Sequence, residues 1–102
     1  MDLSQDEWEA MHRSKEETII LDVRTLEEYN QGHIPNAQLI DIQNPPYFLQ
    51  ELELLSPSKT YLVYCRSGAR SSQACILMKN KGIKNSFNLL GGIIQWKGEI
   101  VT

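Results

Sequence analysis

The stretch Cys65-Arg66-Ser67-Gly68-Ala69-Arg70-Ser71 puts a thiol, a glycine and two guanidinium groups within seven residues. The strand-like run Thr60-Tyr61-Leu62-Val63-Tyr64 ends directly at Cys65, and a helical run follows from Ser71 to Lys81. A thiol between a strand and a helix N-terminus meets the positive end of the helix dipole and unpaired backbone N–H groups. Gly68 lets the backbone curl so that successive N–H groups point inward. Arg66 and Arg70 add two positive charges. Each of these favours a thiolate, so Cys65 is expected to ionise below the ordinary thiol value of about 8.5. The same cradle suits a persulfide or an oxyanion. The bland alternative is a buried cysteine beside a tight turn. The glycine, the arginines and the strand-to-helix position argue for chemistry instead.

Short strand-like and helical runs alternate along the chain and would position this loop. Ser4-Gln5-Asp6-Glu7 reads as a capping box opening a helix to about Met11 or His12. Thr18–Val23 is a nearly continuous apolar run, suited to a strand buried on both faces. Thr25-Leu26-Glu27-Glu28 is a second capping box, for a helix to about Asn30. Ala37–Ile40 is a short strand candidate, and Asn44-Pro45 starts a helix to about Leu54. In the helix from Ser71, Ala74, Leu77 and Met78 form an apolar stripe, and Gly82 suits its C-terminal cap. Ser86–Leu89 is a strand candidate, and Gly91-Gly92 breaks to a last short helix carrying Ile93, Ile94 and Trp96. Strands separated by helices imply right-handed crossovers and a parallel sheet covered on both faces. Ligands of such sheets bind beyond the carboxyl ends of the strands, where Cys65 sits.

Composition narrows the class. The 102 residues suit one domain spanning 1–102. Hydrophobic residues at 41% and charged residues at 23% argue for a folded chain. Thirteen acids against ten bases give a net charge of −3, which disfavours a nucleic-acid binder. No apolar run is long enough to span a membrane, and the acidic N-terminus lacks the features of a secretory signal. Two cysteines make neither a disulfide scaffold nor metal-site spacing. A cytoplasmic monomer is the expectation, with thiols kept reduced.

Three segments carry a family resemblance. The first is Leu21-Asp22-Val23-Arg24, then Glu28-Tyr29, then Gly32-His33-Ile34-Pro35-Asn36-Ala37. The second is the loop Cys65–Arg70 with Ser71 after it, and the third is Asn88-Leu89-Leu90-Gly91-Gly92-Ile93 with Trp96. In order and spacing the chain resembles the single-domain rhodanese-like sulfurtransferases over about residues 2–98. The resemblance implies an α/β fold, with about five mostly parallel strands and helices on both faces. A short edge strand near Leu3 would supply the fifth. It also implies a two-step reaction without metal or organic cofactor. The Cys65 thiolate attacks the outer sulfur of an anionic donor such as thiosulfate, sulfite leaves, and cyanide or a thiol takes the persulfide sulfur. Arg66, Ser67, Gly68, Ala69 and Arg70 would bind substrate through the loop, their backbone N–H groups holding the persulfide. A persulfide relay working with a partner protein is the alternative. A non-catalytic binding domain would ordinarily lack the cysteine. Phosphatases of the same fold use a seven-residue loop for a tetrahedral phosphate, and the six residues here suit a single sulfur better.

Other residues have simpler roles. Arg66 is expected at the pocket mouth, steering an anion. Arg70 is expected on a carboxylate or on substrate, with Asp22 as the candidate partner. Asp22 and Arg24 read as supporting residues, a buried acid needing a partner and a structural ion pair. His33 reads as a structural hydrogen-bonding residue and His12 as solvated. Asn36, where relatives usually have glycine, tolerates a positive φ. Cys75 lies too far along the helix to pair with Cys65 and reads as a packing residue, as do Trp8 and Trp96. Leu90 is a candidate for the apolar rim of the pocket.

Overall fold

The computed structural model describes residues 1–15 and 17–102. Five strands form one sheet: β1 (Asp2–Leu3), β2 (Thr18–Asp22), β3 (Gln38–Leu39), β4 (Thr60–Tyr64) and β5 (Ser86–Leu89). The order across the sheet is β1-β5-β4-β2-β3, and every neighbouring pair is parallel. Helices α1 (Gln5–Ser14), α2 (Leu26–Gln31), α3 (Pro45–Leu52) and α4 (Ala69–Asn80) make the crossovers, and a 3-10 turn spans Ile93–Gln95. No helix of the described residues is long and apolar enough to cross a membrane.

The side-chain alternation of β4 divides the core in two. Tyr61, Val63 and Cys65 join Phe48 and Leu52 of α3 and Ala74, Cys75 and Met78 of α4. Leu62 and Tyr64 join Trp8 of α1, with Tyr29 of α2 packed against them. The sheet therefore has α1 and α2 on one face and α3 and α4 on the other. Cys75 is a packing residue, and burial pushes its thiol pKa up. Trp8 stands edge-on to both Tyr64 and Trp96.

Both capping boxes form. Ser4 Oγ accepts from the Glu7 N–H, and Glu7 Oε1 accepts from the Ser4 N–H. Thr25 and Glu28 repeat the exchange at α2. Asn36 takes the expected positive φ of 69°. Several boundaries differ from expectation. Helix α1 continues to Ser14, and His12 is half-buried rather than free in solvent: its Nδ1 lies 2.8 Å from Thr18 Oγ1 on β2. Helix α3 stops at Leu52, and Asn44 makes no side-chain cap. Helix α4 begins at Ala69, two residues earlier than the sequence suggests, because Gly68 adopts a left-handed φ of 110° and starts the helix directly.

Candidate active site

Strand β4 lies between β2 and β5 and delivers Cys65 to the carboxyl edge of the sheet. The chain then curls through Arg66, Ser67 and Gly68 into the first turn of α4. Cys65 is buried, and its Sγ accepts from the Gly68 N–H at 3.1 Å and from Ser71 Oγ at 3.3 Å. Burial alone would push the thiol up. The Ser71 hydroxyl and the backbone N–H groups of Ser71, Gly68 and Ser67 outweigh it, and the net direction is down. The N–H groups of Arg66, Ala69 and Arg70 have no protein acceptor among the described residues. Arg66, Ser67 and Gly68 carry the chain from Cys65 into α4, whose first turn holds Ala69 and Arg70.

The Ser71 hydroxyl has one hydrogen and two claimants, since it also donates to Asn88 Oδ1. Asn88 is oriented by its other end. Its Nδ2 donates to Asp2 Oδ1 at 3.0 Å and to the Gly68 carbonyl at 3.2 Å. A thiolate at Cys65 competes with Asn88 Oδ1 for that hydrogen. Ser71→Ala should move the midpoint of Cys65 alkylation against pH upward by about one unit. A hydrogen bond to a charged acceptor is worth about 1.5–3 kcal/mol, and this one is shared with Asn88. An unmoved midpoint would assign the thiolate to the backbone N–H groups alone.

The two arginines of the loop separate in role. Arg70 is tied to a carboxylate, but the partner is Glu28 of α2 rather than Asp22. Its Nη1 and Nη2 donate to Glu28 Oε1 and Oε2 at 2.8 and 2.9 Å. This fork, with the Thr25 cap bonds, lowers the Glu28 carboxyl to about 2 despite its partial burial. Glu28 is therefore spoken for twice, as a helix cap and as the anchor of the loop's far end. Arg66 is exposed, with no ion-pair partner among the described residues.

Asp22 and Arg24 make no hydrogen bond to the sulfur; they lock the neighbouring backbone. Asp22 accepts from the Arg24 N–H at 3.0 Å, from Arg24 Nε at 2.9 Å and from Arg24 Nη2 at 2.7 Å. It also accepts from the Tyr64 hydroxyl at 2.6 Å, and Arg24 Nη2 donates to the Gly32 carbonyl at 2.7 Å. The Tyr64 hydroxyl in turn accepts from the Ile34 N–H at 3.1 Å. The end of β2, the residue before Cys65 and the Gly32–Ile34 loop are thereby one unit. His33 takes a structural role, with Nδ1 at 3.0 Å from the Tyr29 carbonyl and its ring stacked on Tyr29.

Three further features escaped the sequence reading. Gly92 lies against the loop, and a Cβ there would sit 2.3 Å from the Arg66 carbonyl oxygen. The Ile93 and Ile94 N–H groups donate to the Cys65 and Arg66 carbonyls at 2.9 and 3.1 Å. Leu90 does not rim this pocket; it lines a separate cleft against α1, and Ile94 and Ile100 stand beside Arg66 instead. The Gly-Gly pair was the only available signal, and it read as a turn alone. Among the described residues, no three His, Cys, Asp or Glu side chains cluster as metal ligands would.

Comparison with known proteins agrees with this architecture. Residues 4–99 match the Rhodanese-like domain family. A sulfurtransferase of Allochromatium vinosum is 38% identical over 81 residues, covering 79% of this chain and 73% of that protein. A putative sulfur carrier protein of Bacillus subtilis is 36% identical over 86 residues, covering 84% of this chain and 45% of that protein. The crystal structure of a rhodanese-like domain protein from Staphylococcus aureus superposes with a TM-score of 0.81 at 31% identity, covering 96% of this chain and 92% of that one. With its parallel sheet, its cysteine loop at the strand edge and these matches, the chain belongs to the Rhodanese-like domain family.

Proposed function

We propose that residues 1–102 form a single rhodanese-like domain that moves a sulfane sulfur through a persulfide on Cys65. The observation that carries this reading is the Cys65 sulfur, held by the Gly68 N–H and Ser71 Oγ inside a six-residue loop. Relatives named as sulfurtransferases support an enzyme of the rhodanese type. In the first step the Cys65 thiolate attacks the outer sulfur of thiosulfate. The sulfur–sulfur bond of the donor breaks, and sulfite leaves with the electron pair. The negative charge then resides on the outer sulfur of the persulfide, within reach of the unpaired N–H groups of Arg66, Ala69 and Arg70. In the second step cyanide or a thiolate takes that sulfur and returns the Cys65 thiolate. Arg66 steers the anionic donor, Ser67 and Gly68 complete the cradle, and Arg70, Asp22 and Arg24 hold its frame. Neither step requires a metal or an organic cofactor. A free nucleophilic thiol suits a reducing compartment such as the cytoplasm.

The test is intact mass after incubation with thiosulfate, beside Cys65→Ser. The expected result is a gain of one sulfur atom that cyanide reverses and the variant lacks. No gain, with the thiol still open to alkylation, would sink the thiosulfate assignment. A persulfide relay is the second reading, favoured by the putative sulfur carrier among the relatives. It predicts slow loading from thiosulfate and fast loading from a persulfide-bearing protein.

A further inference from the structure

The Ser71 hydroxyl beside Cys65 belongs to a hydrogen-bond chain that leaves the loop and ends on the edge strand β1. Ser71 is fully buried and Asn88 is 3% exposed. The Asn88 amide can sit only one way round. Its outer end faces Asp2 Oδ1 at 3.0 Å and the Gly68 carbonyl at 3.2 Å. A carboxylate and a carbonyl only accept, so the end facing them is Nδ2, which leaves Oδ1 toward Ser71. The Ser71 hydrogen therefore lies between Asn88 Oδ1 and Cys65 Sγ, with Oγ 3.3 Å from the sulfur.

Asp2 holds the far end of this hydrogen-bond chain. It is exposed and forms no ion pair among the described residues. One role for its side chain is to pin β1 to β5, where Asp2 and Asn88 are register partners. That pairing already has two backbone hydrogen bonds, from the Asn88 N–H to the Met1 carbonyl at 2.8 Å and from the Leu90 N–H to the Leu3 carbonyl at 2.9 Å. The side-chain bond adds a negative charge at the donor end of the Asn88 amide. That charge polarises the amide and makes Oδ1 a stronger acceptor. The other charges around Cys65 are Arg66 in its own loop, Arg70 held by Glu28 of α2, and Asp22 of β2 held by Arg24. Met1, Lys79 and Lys84 line a cleft with Asp2, and neither lysine pairs with it.

We propose that Asp2 and Asn88 are positioning residues for Cys65: they give the Ser71 hydrogen a second acceptor, to which it returns when negative charge leaves Sγ for the outer sulfur of the persulfide. The return step rests on the persulfide reading. Before loading, the Ser71 hydrogen supports the Cys65 thiolate. After loading, Sγ is bonded to the outer sulfur and carries little charge. Asn88 Oδ1 then takes the hydrogen, and no buried hydroxyl is left unpaired. No proton is transferred; the Ser71 hydroxyl rotates, and the only covalent change is the loading step itself.

The experiment is a double-mutant cycle on the full chain, with Asp2→Ala made in the wild type and in Ser71→Ala. In the wild type, Asp2→Ala should lower the midpoint of Cys65 alkylation against pH by about half a unit, because a weakened Asn88 acceptor releases more of the Ser71 hydrogen to sulfur. In Ser71→Ala the same substitution should move the midpoint by less than about 0.2 unit, the effect of the Asp2 charge through space. Asp2→Asn, whose amide oxygen still accepts from Asn88 without a charge, should fall between. At fixed thiosulfate and sulfite, the persulfide-to-thiolate ratio read by intact mass should fall about threefold in Asp2→Ala, the same half unit. Equal shifts in the two backgrounds would show that Asp2 acts by its charge alone and overturn the proposal. No shift, or a rise, in the wild type would reduce Asp2 to a clamp on β1 and overturn it as well. A lowered midpoint with an unchanged loading ratio would overturn the return step. Wild type that takes no sulfur from thiosulfate overturns the persulfide reading and the return step together, while the alkylation cycle still decides the role of Asp2.

Discussion

Gly92→Ala is expected to abolish sulfur loading and to lower the melting midpoint by more than about 10 °C. Gly92 has φ 62° and ψ −167°, a region open essentially to glycine alone. A Cβ at this position would meet the Arg66 carbonyl oxygen at 2.3 Å, the Arg66 carbonyl carbon at 2.5 Å and the Cys65 oxygen at 2.7 Å. These are backbone atoms of the Cys65 loop, with no flexible side chain to yield. Backbone strain and overpacking together would cost about 3–5 kcal/mol if nothing moved. Displacing Arg66 would relieve part of that strain. Displacement breaks the Ile93 and Ile94 bonds to the loop and misaligns Gly68 with the sulfur. Alkylation of Cys65 against pH should therefore move toward the ordinary thiol value. A variant with native loading and native melting would show that the loop accepts a Cβ, and the close approach would lose its importance.

Asp22→Ala is expected to destabilise the fold by about 3–5 kcal/mol, the usual consequence of removing one partner from a buried ion pair. Arg24 is 5% exposed and would keep only the Gly32 carbonyl and the face of the Tyr64 ring. Tyr64 would lose the acceptor of its hydroxyl hydrogen, one residue before Cys65. Against a total stability of about 5–15 kcal/mol this is a large fraction. Asp22→Asn keeps the shape and one acceptor oxygen and should fall between wild type and Asp22→Ala. Urea unfolding of the three proteins checks the order. Equal midpoints for Asp22→Ala and wild type would remove Asp22 from the frame of the site.

The elements were legible because each carries its own local reason. The Ser4/Glu7 and Thr25/Glu28 boxes are short-range hydrogen-bond patterns, readable in four residues. The branched, apolar character of Thr18–Val23 and Thr60–Tyr64 marks central strands, and both lie in the middle of the sheet. The Cys65 loop was legible for a related reason. Strand, thiol, glycine and helix start are contiguous, so the cradle is made by local backbone. The start of α4 was misplaced by two residues because a left-handed Gly68 substitutes for a side-chain cap.

Partner choice was a different matter. Asp22, Glu28, Arg24 and Arg70 allow two sets of ion pairs, and sequence spacing favours neither. The register of β2 against β4 sets Asp22 opposite Tyr64 and next to Arg24, while α2 carries Glu28 across to the first turn of α4. The Ser71–Asn88–Asp2 chain joins three elements separated by 17 and 86 residues. Such contacts depend on sheet order, which no local pattern encodes. By itself the sequence determined the alternating α/β elements and the immediate backbone setting of Cys65, because those rest on interactions within a few residues. Only the tertiary structure decided which charges pair, why Gly92 must lack a side chain, and which isoleucines stand beside Arg66, because those depend on segments brought together by parallel pairing.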